Sequence, residues 1–236
     1  MSISFIEKYP FILSFILGII PAFIWLWFWL KEDKHPEPVK MITLAFLGGM
    51  LSVFLVLPFQ HFVCSHASCD STGATVSTFT FIALAALEEI FKFGVVYFIA
   101  LRNKVTDEPV DDIIYLIISA LGFVAMENTL FLVDTIHSGD FIGTIITGNL
   151  RFVGASLLHI VSSGVIGIFG ALAFYKSNLQ KAEYFGIGIV IAIILHTIFN
   201  LFIIHETDIF LVFSGVWVAI IVLLLVFEKI KNSEHN

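Results

Sequence analysis

Apolar residues run along this chain in long unbroken stretches separated by short polar joints. The stretches fall at about 11–30, 41–60, 78–101, 112–133, 146–174, 184–204 and 209–227. Each is near the ~20 residues that an α-helix needs to cross a hydrocarbon core, and the fifth is long enough to tilt or extend past it. None alternates apolar with polar positions, which argues against a membrane barrel. The pattern predicts an all-α integral membrane protein: a bundle of about seven transmembrane helices forming a single polytopic domain over residues 1–236. The first stretch lacks a basic flank, since Glu7 and Lys8 cancel, and it runs into Trp25, Trp27 and Trp29 beside Lys31. That reads as an uncleaved helix with an interfacial aromatic belt, not as a signal peptide.

Composition agrees with this reading. The 236 residues are 58% hydrophobic and 13% charged, against roughly 45–50% and about 25% in soluble domains. A net charge of −7 offers nothing to nucleic acid. The expected surroundings are the lipid bilayer of a cell (plasma or inner) membrane, with the oligomeric state left open. Lysine and arginine in the joints set the orientation. Lys31, Lys34, Lys40, Arg102, Lys104, Lys176, Lys181, Lys229 and Lys231 lie on one side, and only Lys8 on the other. The amino terminus is therefore expected outside and the carboxyl terminus in the cytoplasm. Cys64 and Cys69 then share an extracytoplasmic loop, where a Cys64–Cys69 disulfide, free thiols, or a metal clip with His61 and His66 are all open. The acids Asp107, Glu108, Asp111 and Asp112 read as a solvated loop and helix start.

The informative exceptions are charged and polar residues inside the spans: Glu88, Glu89, Lys92, Glu127, Asn128, Arg151, His159, His196 and Asn200. A charge facing lipid costs several kcal/mol, so such residues mark function or helix pairing. With a rise of about 1.5 Å per residue, Glu88, Glu127, His159 and His196 lie about 18–22 Å from the cytoplasmic ends of four different helices. Four helices running alternately up and down thus bring their polar groups to one level. Helical spacing lets Lys92 reach Glu89 or Glu88, and puts Asn200 on the His196 face. The three glutamates, Lys92 and Arg151 sum to −1, so the cluster must take up a proton or bind a cation. A buried carboxylate beside water is a competent general base, and a glutamate with two histidines (Glu127, His159 and His196) is a catalytic zinc set with an open position. Both routes lead to hydrolysis. Blander readings are a Glu89–Lys92 structural pair, a Glu127–Asn128 clamp between helices, a seam of His159 with Ser156, Ser162 and Ser163, and an Arg151 that snorkels outward.

EExxK at Glu88, Glu89 and Lys92, FxxxEN at Phe123, Glu127 and Asn128, the Arg151 to His159 segment, and HxxxN at His196 and Asn200 together resemble the PrsW family of membrane-embedded proteases. The stretch Asp33 to Pro36-Glu37-Pro38 adds to the likeness. The resemblance implies an intramembrane endopeptidase acting on a membrane-anchored protein, such as an anti-sigma factor. It implies Glu88 as general base, Glu89 and Lys92 in support, and His196 with Asn200 as oxyanion donors, or His196 as a zinc ligand. The PrsW family is related to the CAAX-protease and bacteriocin-processing superfamily, whose prenyl-protease branch has EExxxR and FxxxH; EExxK and FxxxE here disfavour prenyl-protein processing. The rival class is a divalent-cation or proton transporter with a Glu/His/Asn site at mid-membrane; a third reading is a scaffold whose polar cluster only fixes packing.

Overall fold

The computed structural model describes residues 10–67, 76–137, 154–204 and 209–233. Seven helices and no strand occur among them: α1 (Pro10–Glu32), α2 (Val39–Ala67), α3 (Thr78–Val96), α4 (Pro109–His137), α5 (Ser156–Leu172), α6 (Asn178–Ile204) and α7 (Ile209–Ser233). A π-helical turn, Tyr97–Leu101, extends α3. Five helices (α1, α2, α4, α6 and α7) are long and apolar enough to cross a membrane. The third carries Glu88, Glu89 and Lys92 within its 19 residues, and 17 residues of the fifth are described. With these spans the chain is a multi-pass membrane protein. Residues 146–153 of the expected fifth span, Arg151 among them, lie outside the described residues.

Helix α4 is the axis of the bundle. Ile113 to Ile118 and Leu121 are fully buried, so this helix is apolar all round, as a helix with neighbours on every side must be. It packs against α1, α2 and α5. The α2–α4 crossing is close because each helix offers a glycine to the other's backbone. A Cβ on Gly49 would lie 1.9 Å from the Ser119 carbonyl oxygen, and one on Gly122 1.9 Å from that of Phe46. Small residues at such crossings replace the hydrophobic drive that lipid does not supply. Helix α3 is thereby held against α2 and α6, and α5 lies between α4 and α6.

Two boundaries differ from the sequence pattern. Helix α2 continues through Pro58 to Ala67 instead of stopping near 60, and α4 begins at Pro109, where proline's missing N–H is no loss. The acids before and within the first turn of α4 are not all solvated. Asp111 and Asp112 are buried, while Asp107 is exposed and Glu108 partly so. Asp111 Oδ2 accepts from the backbone N–H groups of Asp107 and Glu108, both at 2.8 Å. Lys181 Nζ of α6 is 3.2 Å from Asp112 Oδ2. Glu37 of the α1–α2 loop accepts a hydrogen bond from the Tyr115 hydroxyl. The hydrophilic run is thus the packed base of α4, tied to two other elements.

Candidate active site

The site is assembled around one oxygen. Glu89 Oε1, on a fully buried side chain, accepts from Lys92 Nζ at 2.7 Å, from Ser162 Oγ at 3.0 Å and from His196 Nδ1 at 2.7 Å. These donors come from α3, α5 and α6, so Glu89 fastens three helices together. Such a triply donated carboxylate is the arrangement in which a buried charge is tolerated, and removing one partner of a buried pair typically costs about 3–5 kcal/mol. Lys92 Nζ also donates to His159 Nδ1 at 3.0 Å, and lies 5.1 Å from the Phe123 ring centre. His159 Nε2 is 3.2 Å from Glu127 Oε2, and the two histidine rings meet edge to face with centres 5.1 Å apart. Glu88, Glu89, Glu127, Lys92, His159 and His196 therefore form one continuous network across α3, α4, α5 and α6.

Glu88 and Glu127 are the charged members of this network that reach a cleft. Helical geometry turns Glu88 about 100° away from Glu89. Its Oε1 accepts from Gln60 Nε2 of α2 at 2.8 Å, while its Oε2 is 3.7 Å from His196 Nε2 and has no hydrogen-bond partner among the described residues. Glu88, Gln60 and Glu127 line a cleft of about 340 Å³ that extends along α2 and α4 to Cys64 and Asp134. Glu127 has a side chain 20% exposed, against 2% for His159, so water reaches the carboxylates before the imidazoles. Cys64 is disulfide-bonded; Cys69, the chain's other cysteine, lies outside the described residues.

Of the remaining sequence candidates, Asn128 is buried on α4 beside the site, and Asn200 is half-buried one turn beyond His196. No hydrogen bond joins Asn200 to His196 or Glu88 among the described residues. Two participants escaped the sequence reading. Ser162, whose spacing suggests only a packing seam, donates to Glu89, and Gln60, an amide in an otherwise apolar helix, donates to Glu88.

The donor set also fits a metal ion. Glu88, His159 and His196 each offer a ligand atom, all within 4.8 Å of one another. The carboxylate in this set is Glu88, whereas the sequence pointed to Glu127. The orphaned Glu88 Oε2 is a ready ligand, and His196 with Glu89 behind its Nδ1 is the carboxylate–histidine arrangement that orients a ligating Nε2. His159 fits on one condition. While Lys92 donates to Nδ1, Nε2 of neutral His159 carries the proton, so ligation through Nε2 requires one proton to leave the Lys92–His159 pair.

Residues 37–227 match the family model described as PrsW family intramembrane metalloprotease. Similar proteins include Protease PrsW of Geobacillus kaustophilus (strain HTA426), 28% identical over 171 residues that cover 71% of this chain and 69% of that protein. Protease PrsW of Oceanobacillus iheyensis is 28% identical over 183 residues, covering 78% and 79%. Protease PrsW of Bacillus subtilis (strain 168) is 25% identical over 183 residues, covering 76% and 77%. No solved structure matches the chain.

Proposed function

The chain belongs to the PrsW family of intramembrane proteases, and we propose that it hydrolyses a peptide bond of a membrane-anchored protein, with Glu88 as the proton acceptor for the attacking water. The observation that carries this reading is that Glu88 is the carboxylate that both lines the cleft and stands beside His196, with Oε1 held by Gln60 and the buried Oε2 left without a partner among the described residues. Water placed there loses a proton to Glu88 as its oxygen bonds to the scissile carbonyl carbon; when the carbon–nitrogen bond breaks, Glu88 returns that proton to the leaving amine. His196 Nδ1 faces Glu89 and its Nε2 faces Glu88, and in this scheme a proton carried on Nε2 is aimed at the developing oxyanion. Asn200 is the second donor in this scheme. Glu89 and Lys92 act as positioning residues, because they hold the two histidines and do not themselves line the cleft.

A divalent ion, zinc by ligand type, would be held by Glu88, His159 and His196, and would supply Lewis acidity and a water ionised near neutral pH. Glu88 cannot be ligand and proton acceptor at once; with the ion bound, Glu127 is the cleft carboxylate left to take the proton. The cleft runs toward the Cys64 end, away from the lysine-rich joints, so the cut is expected in the outer half of the bilayer. An anti-sigma factor anchored by one helix is a substrate of this kind. We place all seven helices across a plasma or inner membrane, amino terminus outside.

Glu88→Gln tests the reading. Cleavage of a membrane-anchored reporter should fall at least about 100-fold, the usual contribution of general acid–base catalysis, with the unfolding midpoint little changed. Undiminished cleavage would sink it. Metal analysis with a chelator separates the two chemistries. Retained zinc with chelator-sensitive cleavage makes Glu88 a ligand, whereas cleavage that survives complete removal of metal leaves it as the base.

A further inference from the structure

At the lysine-rich end of the bundle, away from the cleft, a second cavity of about 650 Å³ lies between the end of α3 and the start of α6. Phe93, Tyr97 and Phe185 give it an aromatic wall, and Arg102, Lys176 and Lys181 bring three cations to it. The cations rest against rings: Lys181 Nζ is 4.6 Å from the centre of Phe174, Lys176 Nζ 5.6 Å from Tyr184, and the Arg102 guanidinium 5.1 Å from Phe98. Such contacts pre-position a charge without neutralising it. Asp112 answers Lys181 at 3.2 Å, but neither Arg102 nor Lys176 has a carboxylate within 4.0 Å among the described residues. Two positive charges therefore face a cavity whose other wall is aromatic.

The backbone contributes as well. The α3 side of the cavity is the π-helical turn, which supplies Tyr97 and Leu101 to the wall and presents Arg102 immediately after it. Ile187 and Val190 on the adjoining face of α6 are exposed, continuing the apolar surface away from the cations.

We propose that this cavity binds the headgroup of an anionic phospholipid, its phosphate between Arg102 and Lys176 and its chains along the aromatic wall and α6. Basic pockets between helices at the positively charged end of a membrane protein suit such headgroups. A free phosphate would use the cations but leave the aromatic wall without a role, whereas a lipid uses both. The lipid bridges α3 and α6, the helices that carry Glu88 and His196, from the end opposite the cleft. This inference stands apart from the catalytic assignment, since it shares no residue with it.

Native mass spectrometry of the full chain in neutral detergent tests it, with titration by phosphatidylglycerol, by phosphatidylcholine of matched chains and by inorganic phosphate. Phosphatidylglycerol should bind more tightly than phosphatidylcholine. Its affinity should fall about thirtyfold in the double variant R102Q/K176Q, about fivefold for each cation removed, with phosphatidylcholine unaffected. If the double variant unfolds, R102Q and K176Q singly should each show the fivefold loss. Equal affinity for the two lipids, or a preference that survives the substitutions, overturns the proposal. Displacement of phosphatidylglycerol by inorganic phosphate at comparable concentration also overturns it, in favour of a free-anion site.

Discussion

Glu88 and Glu89 are chemically identical neighbours with opposite environments. Both leave Oε2 without a hydrogen-bond partner among the described residues, but Glu89 Oε1 takes donors from three helices away from the cleft, whereas Glu88 Oε1 takes only Gln60 and its side chain lines the cleft. Substitutions at the two positions should therefore separate stability from activity. Glu89→Gln removes the charge that holds Lys92 and His196, and should destabilise the protein by about 3–5 kcal/mol, seen as a marked drop in unfolding midpoint. Gln60 is the complementary case. Its amide fixes one oxygen of Glu88, and a hydrogen bond to a charged group contributes about 1.5–3 kcal/mol. Gln60→Leu should lower kcat by about tenfold or more while KM and the unfolding midpoint stay near their original values. A fall in stability that accounts for all the lost activity would make Gln60 merely structural.

At the scale of elements, the positions of the site residues depend on how closely α2 and α4 approach. Gly122→Ala puts a methyl group into the backbone of Phe46, and overpacking of this kind costs about 1–3 kcal/mol. Gly94→Ala on α3 meets nothing within 4 Å and should raise the unfolding midpoint slightly, through up to about 1 kcal/mol of helix propensity, so the pair separates crossing contact from propensity in a thermal melt. The α1–α2 loop carries a pH dependence. Burial holds the carboxyl groups of Asp33 and Glu37 above their ordinary values of 3.8 and 4.5. Their folded forms bind protons more readily than the unfolded chain does. Their contribution to stability is complete below the ordinary values and is lost as pH rises through the folded ones. The unfolding midpoint should therefore decline as pH rises above those ordinary values, and Glu37→Gln should flatten that decline.

At the scale of the molecule, topology decides which compartment sees the cleft. With the lysine-rich joints in the cytoplasm, green fluorescent protein fused after Asn236 should fluoresce, and alkaline phosphatase at the same point should stay inactive. The reverse result would place the cleft and the disulfide-bonded Cys64 on the cytoplasmic side. Glu88, Cys64 and Asp134 share that cleft, so substrates would then be cut near the opposite surface.

Sequence alone determined that the chain is a helical membrane protein, because unbroken apolar runs of ~20 residues admit no other satisfied backbone in lipid. It also picked out the charged residues, since each is too costly in lipid to be incidental, and counting turns set four of them at one depth. Partnership was not legible. The Lys92–His159 contact, the Ser162 and Gln60 hydrogen bonds, and the approach of Glu88 to both histidines depend on helix rotation and crossing distance. Residues such as Gly49 and Gly122, facing another chain segment's backbone, set those quantities. The burial of Asp111 and Asp112 was hidden for the same reason: a polar run at a helix start looks solvated until the partners that cover it, Glu37, Tyr115 and Lys181, are brought from elsewhere in the fold. Periodicity records what each helix presents, and only tertiary packing decides what each presented group meets.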